Sequence, residues 1–191
     1  STVETVGKLS FDNLLSRGQL SINNANSYSA TVINQEDNNS EKTEFPELLY
    51  NNRPVYLNYD LINSLEVSRE GVYTVFQKID DGYLRISTNG KTASGERGVN
   101  IFIPRSSEIV QALDRGETYK GRSVVMGEWY LSIYIPLKVD NKVVGAFSYA
   151  LPEKNLNTLK PIFMSKKYYT NGYPYVVDKN GIFLIHPTKT G

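Results

Sequence analysis

Three β-type runs follow one another between Gly121 and Leu151, and a chain that carries them must build an antiparallel sheet. The runs are Gly121 to Met126, Trp129 to Leu137 and Lys142 to Leu151. Their connections, Gly127-Glu128 and Asp140-Asn141, have hairpin composition, the first with Gly leading as a type II′ turn requires. Within the segment GEWYLSIYIP, a period of two places Tyr130, Ser132 and Tyr134 on one face. Trp129, Leu131, Ile133 and Ile135 fall on the other. The second set reads as core. The first reads either as a wall that a polar molecule touches, or as core whose tyrosine hydroxyls reach water.

Upstream, EGVYTVFQK and GYLRISTN flank Asp80-Asp81-Gly82 and predict another hairpin, whose aspartates suit a solvated turn better than a cation site. Alternation along its second strand predicts that Tyr83, Arg85 and Ser87 share a face. PRSSEIVQALDRGE carries Ile109, Val110 and Leu113 at helical spacing and stops at Gly116, which predicts a short crossover helix. The order is therefore two strands, a helix and three strands. That order predicts an α+β domain with a five-stranded antiparallel sheet, one face packed on a helix and the other turned to the crossover, leaving a cleft.

Val3, Val6, Leu9, Leu14, Leu15, Ile22, Ala25 and Tyr28 recur at spacings that predict one long N-terminal helix, residues 2 to about 33, broken or frayed near Gly18 and docked on the sheet. NQEDNNSEKTEFP then reads as a polar loop ending at Pro46. PEKNLNTLKPIFMSKKYYT reads as a linker or short helix interrupted by Pro161. GYPYVVDKNGIFLIHPT repeats the pattern of the first hairpin about 100 residues on, which suggests a second module cut short at Gly191. The expected division is residues 1–45 for the helix and loop, 46–152 for the first module, and 153–191 for the linker and the start of the second.

Composition excludes several functions. The net charge of +1 is scattered, which argues against a nucleic-acid partner. Cysteine is absent and His186 is the single histidine, so neither a disulfide nor a zinc site is expected. No apolar run approaches the ~20 residues that span a bilayer. No nucleophile elbow, phosphate loop or metal-binding helix is present, so an enzyme, a cofactor and a resident metal are not expected.

VYTVFQKIDDGYLRISTN, RGETYKGR, WYLSIYIPL and VVGAFSYALP together resemble the first module of the fused tandem Cache sensor domains, and GYPYVVDKNGIFLIHPT resembles the opening hairpin of the second. The resemblance implies a PAS-like fold on the extracytoplasmic face of a bacterial inner or plasma membrane. It also implies a receptor anchored by segments outside this chain, a chemotaxis receptor foremost, with sensor histidine kinases and diguanylate cyclases as the other hosts. On this reading Arg85, Ser87, Tyr119, Arg122, Trp129, Tyr130, Ser132 and Tyr134 are candidate ligand contacts, with Arg97 and Phe102 in the crossover loop as weaker ones. The family's pocket-lining strand adds Tyr149.

Amino-acid-binding Cache receptors carry an Arg two residues before a Trp-Tyr pair and an Asp on a later strand. Here Trp129-Tyr130 matches, but Gly127 stands at the Arg position and VVGAFSYAL holds no acid. A small carboxylate is thus favoured over an α-amino acid. The competing reading is a ligand-independent dimerisation module, a homodimer paired through the N-terminal helix.

Overall fold

The computed structural model describes residues 2–153 together with the short strands 176–177 and 183–185. The chain is α+β, with an N-terminal helix and one large mixed sheet of nine strands. Helix α1 (Thr2–Arg17) leads into a hairpin of β1 (Leu20–Asn34) and β2 (Ser40–Tyr50), then β3 (Arg53–Pro54) and the short helix α2 (Tyr59–Ser64). The first predicted hairpin is β4 (Val72–Ile79) and β5 (Gly82–Thr88). The crossover supplies β6 (Ile101–Pro104) and α3 (Glu108–Asp114), and a meander of β7 (Tyr119–Val125), β8 (Glu128–Val139) and β9 (Lys142–Pro152) follows. The spatial order is β3-β2-β1-β6-β5-β4-β9-β8-β7, with β1 and β6 parallel and every other neighbouring pair antiparallel. The last two described strands, β10 (Val176–Val177) and β11 (Phe183–Ile185), pair antiparallel as the second hairpin requires. His186, Pro161 and the rest of the predicted linker lie outside the described residues.

The expected five-stranded sheet is therefore corrected to nine strands, because the segment read as the second half of a long helix is β1. Asn, Ser and β-branched residues dominate 21–33 and favour extended backbone. Leu20, Ile22, Tyr28, Ala30 and Val32 follow a period of two, interrupted by a bulge where the register slips between Asn23 and Ser27. The stretch expected to be a loop up to Pro46 is likewise a tight turn followed by β2, with Pro46 accommodated at the slipped register.

Helix α1 stops at Gly18 because its last carbonyls are taken elsewhere. The Tyr50 hydroxyl donates to Leu14 O at 2.7 Å, and Asn51 Nδ2 donates to Arg17 O at 3.2 Å. The buried stripe of α1 is Val3, Gly7, Ser10 and Leu14, while Leu9 and Leu15 are half exposed on its outer side. Gly7 lets the helix approach the sheet: a methyl group there would lie 2.3 Å from Ile133 Cγ2. With Tyr73, Val75, Ile86, Ile133, Ile135, Phe147 and Tyr149, this stripe forms the larger core.

The turn between β7 and β8 also differs from expectation. Its positive-φ residues are Met126 (52°) and Gly127 (84°), so the turn sits one residue earlier, in the sense of type I′ rather than II′. The β8–β9 turn places Asp140 (49°) and Asn141 (62°) in the same conformation, with residues that tolerate it well.

Candidate functional site

Helix α3 covers the opposite face of the sheet only in part. Ile109, Val110 and Leu113 pack on Phe76, Tyr83, Ile103, Tyr134 and Ala146. Further along the same face, Val125, Tyr130 and Ala150 form a second small apolar cluster with Val72 and Met126. Between the two patches runs a band of buried polar side chains: Thr74, Arg85, Thr88, Ser123, Ser132 and Ser148. The pairings Tyr134↔Ser148, Ser148↔Thr74 and Thr74↔Thr88 carry it across four strands.

Most of the band is satisfied internally. Thr74 and Thr88 hydroxyls lie 2.8 Å apart, Ser123 and Ser132 hydroxyls 2.7 Å apart, and the Tyr134 hydroxyl donates to Ser123 Oγ at 3.3 Å. Arg85 is the exception. Its side chain is 1% exposed, Nη1 donates to Gly98 O at 3.2 Å, and Nε has no partner. The Phe76 ring centroid stands 5.5 Å from its guanidinium carbon. Among the described residues no carboxylate forms an ion pair with it. Burial pushes the guanidinium below its ordinary value, partly offset by the nearby Tyr134 and Tyr130 hydroxyls. Burying a charge without a counter-charge costs several kcal/mol, roughly, and an arginine does not escape by losing its proton.

A cleft of 510 Å³ opens beside this band, and Glu36, Glu108, Tyr119, Arg122, Ser123 and Trp129 are among its lining residues. Through Ser123, the hydrogen-bonded hydroxyls of Ser132 and Tyr134 connect the cleft to the buried band. Trp129, expected in the core with Leu131, Ile133 and Ile135, is instead 51% exposed at the rim, where Arg122 stacks over its ring at 4.4 Å. Arg122 is held by Glu153 through Nε–Oε1 (2.5 Å) and Nη2–Oε2 (2.9 Å), a bidentate pair that already balances its charge. The Tyr119 hydroxyl donates to Arg122 O at 3.2 Å.

The structure thus brings Arg85, Tyr130, Ser132 and Tyr134 onto one buried face, with Tyr119, Arg122 and Trp129 at the adjoining cleft. Four other candidates lie elsewhere. In β5, Val75 pairs with Ser87 but Phe76 pairs with Arg85, so Ile86 is the extra residue of a bulge. The bulge turns Ser87 off the Arg85 face: it donates to Asn58 O at 2.8 Å, and Thr88 joins Arg85 in its place. Tyr149 belongs to the α1-side core, its ring 4.9 Å from that of Tyr73. Phe102 is buried in the same core. Arg97 is tied to α2, donating to Asn63 Oδ1 at 3.1 Å and lying 4.4 Å over Tyr59, and it also donates to Thr88 O at 2.7 Å. Thr74, Thr88, Ser123 and Ser148 were missed as members of the band. A period of two marks Ser148 as a neighbour of Tyr134 only once the strand register is known.

The family model for the Cache 3/Cache 2 fusion domain matches residues 4–191, and the chain belongs to that family. Cache domains are extracytoplasmic sensor modules rather than catalytic ones, so this chain is a sensor domain. No curated protein and no solved structure matches it. No helix among the described residues is long and apolar enough to cross a membrane.

Proposed function

We propose that this domain is the extracytoplasmic sensing part of a bacterial transmembrane receptor, a chemotaxis receptor foremost, and that it recognises a small carboxylate at Arg85. Membrane anchoring is assigned to segments outside this sequence, and residues 153–191 to a linker and the start of the second module. The observation that carries the ligand reading is the Arg85 guanidinium, buried with a free Nε and no acid beside it among the described residues. A carboxylate offers two acceptor oxygens to a planar fork of donors, and a bidentate bond in a dry site is strong and directional. Arg122 is paired with Glu153 and Arg97 is committed to α2, which leaves Arg85 to meet an anion.

A thermal-shift screen against monocarboxylates, dicarboxylates, amino acids, purines and polyamines tests this. A carboxylate at ~100 times its Kd adds about 2.7 kcal/mol, which raises Tm by roughly 5–10 °C in a chain of this size. Stabilisation by amines or neutral compounds alone rejects the carboxylate.

Ligand-independent pairing of α1 helices is the competing reading, supported by Leu9 and Leu15, 48% and 49% exposed on the outer side of α1. Sedimentation of the wild type and of Leu9→Lys/Leu15→Lys decides it: a dimer that dissociates in the double variant, with no ligand in the screen, favours pairing.

A further inference from the structure

The guanidinium assigned to the ligand is sealed, and the seal leads to Met126. Met126 occupies a positive-φ turn position (φ 52°), where a Cβ crowds the following carbonyl oxygen and no polar side chain offsets it, whereas the equivalent turn of the next hairpin uses Asp140 and Asn141. Strain of this kind persists only where surrounding contacts compensate it. The contacts are specific. A methyl group built on Gly90 would lie 2.7 Å from Met126 Cε, and one built on Gly98 would lie 2.4 Å from the same atom and 2.8 Å from Sδ. The thioether therefore fills a slot that exists because both positions are glycine.

Those glycines close the base of the crossover loop, Gly98 N donating to Gly90 O at 3.0 Å. Gly98 O is also the acceptor for Arg85 Nη1. Met126 thus bears on the backbone that holds the guanidinium, and it packs in the small cluster with Tyr130. An unbranched, polarisable side chain suits a plug that must leave and return without a fixed rotamer.

We infer that Met126 is the gate residue of the Arg85 site: seated between Gly90 and Gly98 it keeps the guanidinium shut in, and its withdrawal frees the loop and admits an anion. The inference rests on Arg85 being the ligand anchor. Reagent access to Arg85 needs no ligand, however, so the two readings fail separately.

The test is the rate at which p-hydroxyphenylglyoxal modifies Arg85 in the intact chain, followed by peptide mass spectrometry against exposed arginines as internal standards. Met126→Asn keeps a residue that accepts the turn conformation and removes the plug. Met126→Leu keeps an apolar plug. Arg85 is expected to be protected in the wild type and in Met126→Leu, and labelled at least about tenfold faster in Met126→Asn through local opening. Equal Arg85 labelling in wild type and Met126→Asn overturns the gate, as does rapid labelling in the wild type. Should Met126→Asn fail to fold, hydrogen exchange of the wild type decides. Exchange at Gly98 through an opening separate from that of the β8–β9 amides upholds the gate, and exchange of both together overturns it.

Discussion

The two faces of the central sheet are made by the same strands and differ in what they bury. Towards α1, Tyr73, Val75, Ile133, Ile135, Phe147 and Tyr149 form one continuous apolar layer closed by Val3 and Leu14. Towards α3, the apolar contacts split into two separate clusters, with Arg85 and its neighbouring hydroxyls between them. One face gains its stability from area removed from water; the other leaves a desolvated cation in the middle of the fold. A protein tolerates such a cost where function uses it, and under the proposed function the α1 face holds the fold while the α3 face would hold the ligand.

The sharpest contrast comes from truncating the α1 side. Leu14→Ala should lose about 2–5 kcal/mol in urea unfolding, through lost burial and the cavity left behind, with ligand response retained. A loss below about 1 kcal/mol would mean that α1 is not part of the core. The opposite sign is expected on the other face. Arg85→Met replaces an uncompensated charge with an apolar chain of similar length, and unliganded stability should hold or rise by up to about 1–4 kcal/mol. A strongly destabilised Arg85→Met variant would show that Arg85 is a structural residue and break the comparison.

A third substitution sharpens the account of the α1 contact. In an exposed helix Gly→Ala gains up to about 1 kcal/mol. At Gly7 the added methyl would meet the stiff Ile133 side chain at 2.3 Å. The expected result is a loss of about 1–3 kcal/mol by overpacking, and a gain would place α1 further from the sheet than described.

The smallest effect concerns the edge of the same contact, where Glu4 joins Lys8 (2.8 Å) and Lys120 of β7 (2.5 Å). Hydrogen bonds from Lys120 and then Lys8 lower its pKa from 4.5 to about 2. A lowered folded-state value means that the stabilisation is complete above the unfolded value and fades as pH falls from about 4.5 towards 2. Glu4→Gln should therefore differ slightly from wild type in Tm at pH 5 and converge with it near pH 2. Parallel curves would remove the ion pair from the account.

Much of the site-bearing core was legible in the sequence because its hairpins are punctuated by turn residues and its strands alternate cleanly. β4, β5, α3, β7, β8 and β9 all stand within a few residues of their expected places. The split of Trp129, Leu131 and Ile133 from Tyr130, Ser132 and Tyr134 follows from period two alone. Where alternation breaks, the sequence misleads. The extra residue Ile86 reverses the faces after it, so Ser87 and Thr88 exchange roles, and nothing in the string LRIST marks the bulge. In 20–33 the bulge after Asn23 lets Ile22, Ala25 and Tyr28 mimic a helical stripe. Gly7 and Ser10 were passed over on α1 because close approach selects small residues, which carry no hydrophobic signal. Phe102 and Tyr149 illustrate the same limit: an aromatic side chain looks alike on either face until the register is set.

The proposed anion site rests on the unpartnered Nε of Arg85. Arginine Nε–H correlations in a ¹⁵N-labelled sample read that atom directly, with the Arg85 signal assigned by its loss in Arg85→Met. On titration with a carboxylate that raises Tm, the Arg85 Nε–H signal should move downfield as it gains an acceptor and saturate with the same Kd, while the Arg97 signal stays in place. An Arg85 signal that remains still while the thermal shift saturates would contradict the account.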